Sequence, residues 1–319
     1  MSAIVEPQAA AYTHWHGLPA GTACCSATAF VAASLTLPEW YTIYPPTLAD
    51  PRCPVTVVLL RHEQSGKVAL FDLGINQDWR KHIPEADLPE YDMFNIEVME
   101  DLVDVLARTG VKRDEVDLVI LSHHHFDHTG EPSLFPNAQV LVGSGVAAKI
   151  PALKGLDNVS EVAWSSKPAA SFDLSYDVWG DGSLVLVAAP GHTEGHLAAL
   201  VRTSANPSAD SHPQDEYVLL AADCCHHPVL LSPKRDEKHF RLGKWRDASD
   251  PEDVPLGHSN YEDYALAEST LERVKAAERR DEIMVVLSHN YRTWERLGGK
   301  ERMLDGVQLN GWKGKGFKE

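Results

Sequence analysis

Basic residues are scarce in this 319-residue chain, which has 29 Lys and Arg against 46 Asp and Glu and a formal net charge of −17. An acidic surface repels phosphate backbones, so nucleic acid is a poor candidate partner. Long apolar runs are also missing, since no stretch approaches the roughly 20 apolar residues that a membrane span needs. These two deficits disfavour nucleic acid and membranes as partners.

Cysteine is sparse and unsuited to a disulfide framework. The odd count of five includes two adjacent pairs: Cys24, Cys25, Cys53, Cys224 and Cys225. Reduced thiols in a cytosolic protein are the simpler interpretation. The first 21 residues also lack the basic segment and apolar run of a secretory leader. We therefore expect a cytoplasmic protein.

Short apolar runs rich in β-branched residues recur along the chain and predict buried strands. They lie at 55–60, 68–73, 116–121, 138–142, 184–189, 218–222 and 283–287. Apolar residues at helical spacing predict helices over 95–109 and 261–279. Only a short segment with Gly66 separates the first two strands, which indicates a hairpin. Buried strands with interspersed helices indicate a layered α/β arrangement.

No break in composition marks a second domain. We therefore predict one domain over 1–319, with its core at about 55–290, an N-terminal extension at 1–54 and a C-terminal tail at 298–319. Trp312 and Phe317 are candidate anchors that dock this tail. The polar segments 204–214 and 228–255 are predicted to be loops.

Histidine, by contrast, is plentiful: the chain has 16, and several of them follow one predicted strand. The strand at 116–121 leads into SHHHFDHTG, an H-x-H-x-D-H pattern. His123 and His125 project to the same side of an extended segment, while Asp127 and His128 lie just beyond it and can reach a second point. Imidazole and carboxylate together suit zinc, and less specifically iron or manganese. The alternative, a histidine-rich loop without metal, gives the neighbouring imidazoles no evident packing use.

Three further ligand-type residues each follow a predicted buried strand. They are His192, Asp223 and His289. Sites in layered α/β proteins form where strand ends converge, so this placement is what a shared site requires. A carboxylate at Asp223 can bridge two metals, which a neutral imidazole does not do.

These motifs resemble those of the metallo-β-lactamase superfamily. The resemblance covers roughly Val55 to Asn290, through SHHHFDHTG at 122–130, PGHTEGH at 190–196, the strand end at Asp223 and LSHN at 287–290. It implies an αββα four-layer sandwich with two metal ions, most simply Zn²⁺, in a cleft at one edge. Asn290 departs from the pattern, because many relatives carry Asp there.

Carried over by position, the resemblance implies two groups of metal ligands. His123, His125 and His192 hold one metal, and Asp127, His128 and His289 hold the other, with Asp223 as the bridge. Asp72 in FDLG matches an early D-x-G strand end whose carboxylate orients ligand imidazoles. A solvated turn aspartate is the alternative for Asp72.

The segment CCHH directly after Asp223 could suggest a further metal site. We interpret Cys224 and Cys225 as small buried residues in a packed loop. Accordingly, we expect Cys224→Ser and His226→Ala to have mild effects. His196 is interpreted as a residue that packs against or orients the ligands.

Two metals would lower the pKa of a shared water, and the resulting metal-bound hydroxide would attack a carbonyl carbon. Asp127 is then the catalytic residue that passes the proton to the leaving group. Within the superfamily the layout resembles N-acyl homoserine lactonases, so a lactonase acting on a small molecule is the first expectation. A lactam or cyclic carbamate hydrolase and a glyoxalase-II-like thioesterase remain alternatives.

A metal-binding protein without catalysis is disfavoured, because no ligand of the set is missing. The aromatic stretch with Trp40, Tyr41 and Tyr44 either lines an apolar substrate pocket or packs against the edge of the sandwich.

Overall fold

The computed structural model describes residues 15–46, 49–205, 215–231, 240–243 and 259–318. Within these ranges the strands are β1 (Cys25–Thr36), β2 (Ile43–Tyr44), β3 (Arg52–His62), β4 (Val68–Phe71), β5 (Glu97–Val98), β6 (Leu118–Leu121), β7 (Gln139–Val142), β8 (Val159–Glu161), β9 (Ser175–Asp177), β10 (Leu184–Ala188), β11 (Leu197–Ser204), β12 (Glu216–Ala222), β13 (Arg241–Leu242), β14 (Ile283–Leu287) and β15 (Val307–Gln308). The α-helices are α1 (Glu39–Thr42), α2 (Leu88–Asp92), α3 (Leu102–Ala107), α4 (Phe126–Thr129), α5 (Tyr264–Glu278), α6 (Tyr291–Arg296), α7 (Gly299–Asp305) and α8 (Trp312–Lys315).

Two sheets dominate the structure. The first has the strand order β15-β1-β3-β4-β6-β7-β8, with β5 also paired to β1. The second has the order β14-β12-β11-β10-β9. The predicted hairpin is present, because β3 and β4 pair antiparallel with Val58 opposite Phe71. By contrast, β4 and β6 run parallel, as do β12 and β14, so each pair ends at a common sheet edge.

The buried side chains divide into layers that define the fold. One apolar cluster lies between the sheets and joins Val58 and Ile120 of the first to Leu186 and Leu220 of the second. A second cluster packs the other face of the first sheet against α3. A third packs the other face of the second sheet against α5, for example through Leu271. The order helix, sheet, sheet, helix confirms the predicted αββα sandwich.

β1, the longest of these strands, was not predicted from the sequence. Its sequence, CSATAFVAASLT, is rich in small residues and lacks the β-branched run used to find the others. Both of its faces are nonetheless buried: Val31 packs between the sheets and Phe30 packs on the outer side. Tertiary packing, rather than local propensity, makes this segment a strand.

The prediction of one domain with separate extensions stays a prediction.

The helix predicted over 95–109 is wrong over its first half. Asn95 has φ +44°, outside the helical region, and β5 then pairs with β1 at Ala33. The helix begins only at Leu102, where the Asp101 carboxylate accepts a hydrogen bond from the Val103 amide. A helix cannot start before this cap because the preceding residues are extended.

The structure contains several other segments that the sequence predicts. The strand at 283–287 matches β14, and α5 falls within the helix predicted over 261–279. Trp312 and Phe317 are buried in the cluster between the sheets, so both anchor the C-terminal segment. Residues 206–214, 232–239 and 244–255 of the predicted loops lie outside the described residues. None of the described helices is long and apolar enough to cross a membrane.

Candidate metal centre

Strand directions bring the predicted site residues to one edge. His192, Asp223 and His289 follow β10, β12 and β14, which all run in the same direction, because β11 is antiparallel to both of its neighbours and β12 is parallel to β14. In the first sheet, Asp72 and His123 follow the parallel strands β4 and β6. Carboxyl ends of parallel strands meet at one edge, where α/β proteins bind their ligands.

The loop after β6 turns immediately into the short helix α4. His123 and His125 lie before this helix, and Asp127 and His128 lie within it. Gly130 ends the helix at φ +46°, and a Cβ atom there would lie 2.6 Å from Leu73 Cβ. Only glycine permits this close approach, which brings the end of α4 against the segment that follows β4.

Seven ligand-type side chains form two groups. His123, His125, His192 and Asp223 make the first group, and Asp127, His128 and His289 make the second. Within each group, one ligand atom per residue lies within 4.8 Å of all the others. The resemblance implies the same division of the other six residues, with Asp223 as the bridge, and their assignment as ligands stays a prediction.

Asp223 lies between the two groups. Its Oδ2 is 3.6 Å from His192 Nε2 of the first group and 3.2 Å from His128 Nε2 of the second. Its Oδ1 is 3.3 Å from His289 Nε2. A carboxylate in this position can serve both groups at once.

Several buried polar atoms at the centre have no hydrogen-bond partner. They are His123 Nε2, His128 Nε2 and Asp223 Oδ1. A buried polar atom without a partner costs about 1–3 kcal/mol, so a native structure that gathers several of them calls for an explanation. Nitrogen and carboxylate oxygen donors facing one point are the ligand set of a zinc-like cation. The residues present therefore fit a divalent metal.

Electrostatics keeps the donors of the first group available for a metal. Burial lowers the pKa of His123 and His192 well below 6.5, and that of His125 to about 4, so these imidazoles are neutral. Burial opposes ionisation of Asp223, but the surrounding histidines hold the pKa of its carboxyl well below the usual value. Neutral imidazole and ionised carboxylate are the forms that bind metal.

In the second group, nearby carboxylates outweigh burial in setting the pKa values of the histidines. Although burial acts in the opposite direction, Asp223 and Asp127 raise the pKa of His289 to about 10. For His128, burial is likewise overcome by Asp223 and Asp72, and the pKa lies well above 6.5. This acidic environment attracts positive charge, so a cation that binds here takes the place of the histidine protons.

Asp72 orients two of the candidate ligands. Its Oδ2 accepts hydrogen bonds from His128 Nδ1 at 2.7 Å and from Ser122 Oγ at 2.8 Å. The Ser122 hydroxyl in turn lies 3.0 Å from His123 Nδ1. Each imidazole therefore directs its Nδ1 toward this network and its Nε2 toward the centre. Asp72 is fully buried, which does not fit the alternative of a solvated turn.

We expect Asp72→Asn to weaken zinc binding by about 10–100-fold, the range typical of residues that orient metal ligands. Asparagine tolerates the φ of +58° at this position and can still accept from the Ser122 amide, but its NH₂ group cannot accept from His128 Nδ1. Competition with a chromophoric chelator measures the effect. The matched control is Asp117→Asn, because Asp117 lies at the opposite end of the same sheet and binds the Val68 amide. Equal zinc affinities in both variants would contradict the role of Asp72.

Two expectations about neighbouring residues meet different outcomes. Cys224 and Cys225 are buried among apolar side chains, as interpreted from sequence. His226 is different, because its Nε2 lies 3.1 Å from Asp223 Oδ2. This contact argues against the expected mild effect of His226→Ala, which stays a prediction. Tyr261, whose hydroxyl lies 3.0 Å from His226 Nδ1, was not predicted as a site residue from the sequence.

His196 and Asn290, which the sequence also singled out, hold neighbouring parts of the structure in place. His196 is fully buried and its Nε2 accepts a hydrogen bond from the Asp223 amide, as expected for a residue that supports the ligands. Asn290 caps α6 by accepting from the Arg292 and Thr293 amides, a role that Asp would fill equally well.

A cavity of about 460 Å³ opens onto the candidate centre. Asp127, Asp223 and His289 form part of its floor. Its walls are mainly apolar and include an aromatic group: Tyr41, Trp79, Tyr91, Phe94 and Phe126. Of the aromatic stretch predicted from sequence, only Tyr41 is in the lining, while Trp40 is 39% exposed.

Known proteins resemble this chain in sequence. The family profile of the metallo-beta-lactamase superfamily matches residues 50–200. A gamma-lactamase of Gibberella moniliformis is 35% identical over 176 residues, which cover 50% of this chain and 70% of the relative. A gamma-lactamase of Fusarium pseudograminearum is 28% identical over 291 residues, which cover 78% of this chain and 67% of the relative.

Among solved structures, an N-acyl homoserine lactone hydrolase with the product N-hexanoyl-L-homoserine bound at its catalytic metal center superposes with a TM-score of 0.56. It is 19% identical, and the superposition covers 86% of this chain and 96% of that one. This likeness concerns the fold.

The layered fold and the ligand cluster at its strand ends define a metal-dependent hydrolase. More specifically, the chain belongs to the metallo-beta-lactamase superfamily.

Proposed function

We propose that this protein is a binuclear metal-dependent hydrolase that opens the ring of a small cyclic ester, with a cyclic amide as the second candidate substrate. One observation carries the proposal: the two ligand groups share Asp223 on the floor of a cavity of about 460 Å³. A cavity of this size is in the range of small-molecule sites. The donor set favours two Zn²⁺ ions, while iron or manganese stay open.

Two metal ions held by these residues would lower the pKa of a water between them and polarise the carbonyl oxygen of the substrate. The chain itself supplies the proton transfer. Asp127 lines the cavity, and its Oδ2 is 3.3 Å from His289 Nε2, so its carboxylate faces the space in which a metal-activated water would be held. From there it can take the proton of the water and return it to the leaving group.

The choice between ester and amide depends on the leaving group. Ring opening of a lactone releases an alkoxide, whereas a lactam nitrogen is a poorer leaving group that needs a proton. A centre that opens a lactam is therefore expected to open the lactone of the same shape faster. The gamma-lactamase relatives favour keeping the lactam as a candidate, while the likeness to the lactone hydrolase concerns the fold.

The aromatic wall favours an apolar substituent on the ring. Phe126 and Tyr91 meet edge to face at 5.0 Å, and Trp79 lies 6.0 Å from Phe126. Phe126 directly precedes Asp127, so the wall begins beside the proposed proton carrier. Burial of an alkyl or aryl group against it would contribute about 25 cal/mol per Å² of apolar surface.

The test uses the purified full-length protein with zinc and matched panels of lactones, lactams and thioesters. We expect lactone opening to be fastest and the lactam of the same ring to be opened more slowly. In oxygen-18 water, one label should enter the product carboxylate in a single turnover, because no covalent intermediate forms. Trapping of an acyl group on any Ser or Cys side chain, or turnover of thioesters alone, would contradict the proposal.

A further inference from the structure

His226 is a buried histidine outside both ligand groups. It is 5% exposed and contacts Asp223 through one ring nitrogen and Tyr261 through the other. The distances are 3.1 Å from Nε2 to Asp223 Oδ2 and 3.0 Å from Nδ1 to the Tyr261 hydroxyl. The mechanism above gives this residue no part.

The hydrogen-bond chemistry of its neighbours selects one form of the ring. An ionised carboxylate only accepts, so the His226 Nε2 must carry the proton that it donates to Asp223. The Nδ1 then has a lone pair and accepts from the Tyr261 hydroxyl. The Asn260 amide nitrogen, 3.4 Å from the same Nδ1, is a second donor on that side. The carboxylate thus places a ring proton on Nε2, and the two donors on the other side match an Nδ1 that carries none.

The ring also packs against one ligand of each group. It stacks on His289 with an interplanar angle of 15° and a centroid distance of 5.9 Å. It meets the edge of His192 at 4.8 Å. His226 therefore supports the carboxylate between the groups and an imidazole on either side of it.

We propose that His226 is a positioning residue that fixes the rotation of the Asp223 carboxylate, and that the Tyr261 hydroxyl fixes the tautomer of His226. This inference rests on the proposed function, in which Asp223 bridges two metals. A hydrogen bond to Oδ2 restrains the carboxylate so that its remaining lone pairs face both ligand groups. Residues of this kind typically change metal affinity by about 10–100-fold when they are removed.

The experiment measures zinc affinity by competition with a chromophoric chelator in full-length variants. His226→Ala should weaken zinc binding by about 10–100-fold, the range for an orienting residue. Tyr261→Phe removes only the hydroxyl and should weaken it in the same direction by less. His226→Gln presents an amide N–H at a similar reach and should restore most of the affinity.

The matched control is His227→Gln. His227 is also buried, but its Nε2 contacts Glu39 at 3.2 Å rather than Asp223. It should keep the zinc affinity of the unmodified protein. Thermal unfolding in excess chelator checks that each variant is folded, because a purely structural role would lower the unfolding midpoint without changing the zinc affinity of the folded protein.

The outcomes separate the two proposals. If the unmodified protein binds about two zinc ions and His226→Ala binds them equally well, the inference about His226 is wrong and the proposed function stands. The inference also fails if His226→Gln is as impaired as His226→Ala, because donation to Asp223 would then not matter. If the unmodified protein binds no zinc, both proposals fail.

Discussion

Asp223→Ala is expected to release metal from both ligand groups and to abolish ring opening. The reason is its central position: Oδ2 contacts His128 and His192, and Oδ1 contacts His289. Alanine removes the shared carboxylate, and the buried imidazoles of both groups would then face two cations without a negative charge between them. We expect zinc affinity to fall by more than the ~100-fold that marks the upper range for residues that only orient ligands.

Elemental analysis after gel filtration, combined with lactone turnover, measures this effect. The control is Cys224→Ser, a buried neighbour that packs in the apolar cluster on the outer face of the second sheet. It should retain its metal and its activity. Loss of metal in Cys224→Ser but not in Asp223→Ala would show that the wrong residue has been assigned at the end of β12.

Asp127→Asn should separate metal binding from proton transfer. Asparagine keeps the size of the side chain and one oxygen for a metal, but it cannot take up and return a proton. We therefore expect most of the metal to be retained and turnover to fall by ~10²–10⁴-fold, the range for general acid–base catalysis. The location of Asp127 on the cavity floor beside His289 is what suggests this double role.

The dependence on the leaving group makes the prediction specific. The loss should be smallest for an activated ester, which needs little protonation, and largest for a lactam, whose nitrogen needs it most. Measurements at matched zinc occupancy exclude an effect of metal loss. If the loss is equal for both substrates, Asp127 acts only as a ligand.

Much of the site could be predicted because its residues follow strands. An apolar run such as 283–287 marks a buried strand, and a polar residue at its end, such as His289, lies where sheet edges gather ligands. The loop 122–130 adds the H-x-H-x-D-H spacing, which few functions other than metal binding require. The fold followed from the same strands, since their order and the intervening helices indicate layers.

The parts that were missed depend on tertiary contacts. β1 is a strand because it is buried between neighbours on both faces, and its small residues carry no strong signal of their own. His226 and Tyr261 are 35 positions apart, and nothing in their spacing shows that a hydroxyl meets an imidazole. The aromatic wall likewise joins Tyr41 to Phe94 across the fold. Contacts between distant segments of this kind have no periodic pattern in the sequence.

The most direct test of a shared binuclear centre is a zinc titration of the chelator-treated, full-length protein with lactone opening as the readout. Activity should be absent at the start and should rise to a plateau at about two equivalents of zinc per chain, because seven ligands with one shared carboxylate suit two four- to five-coordinate ions. A plateau at one equivalent, or full activity before zinc is added to protein shown to be metal-free, would contradict a shared binuclear centre.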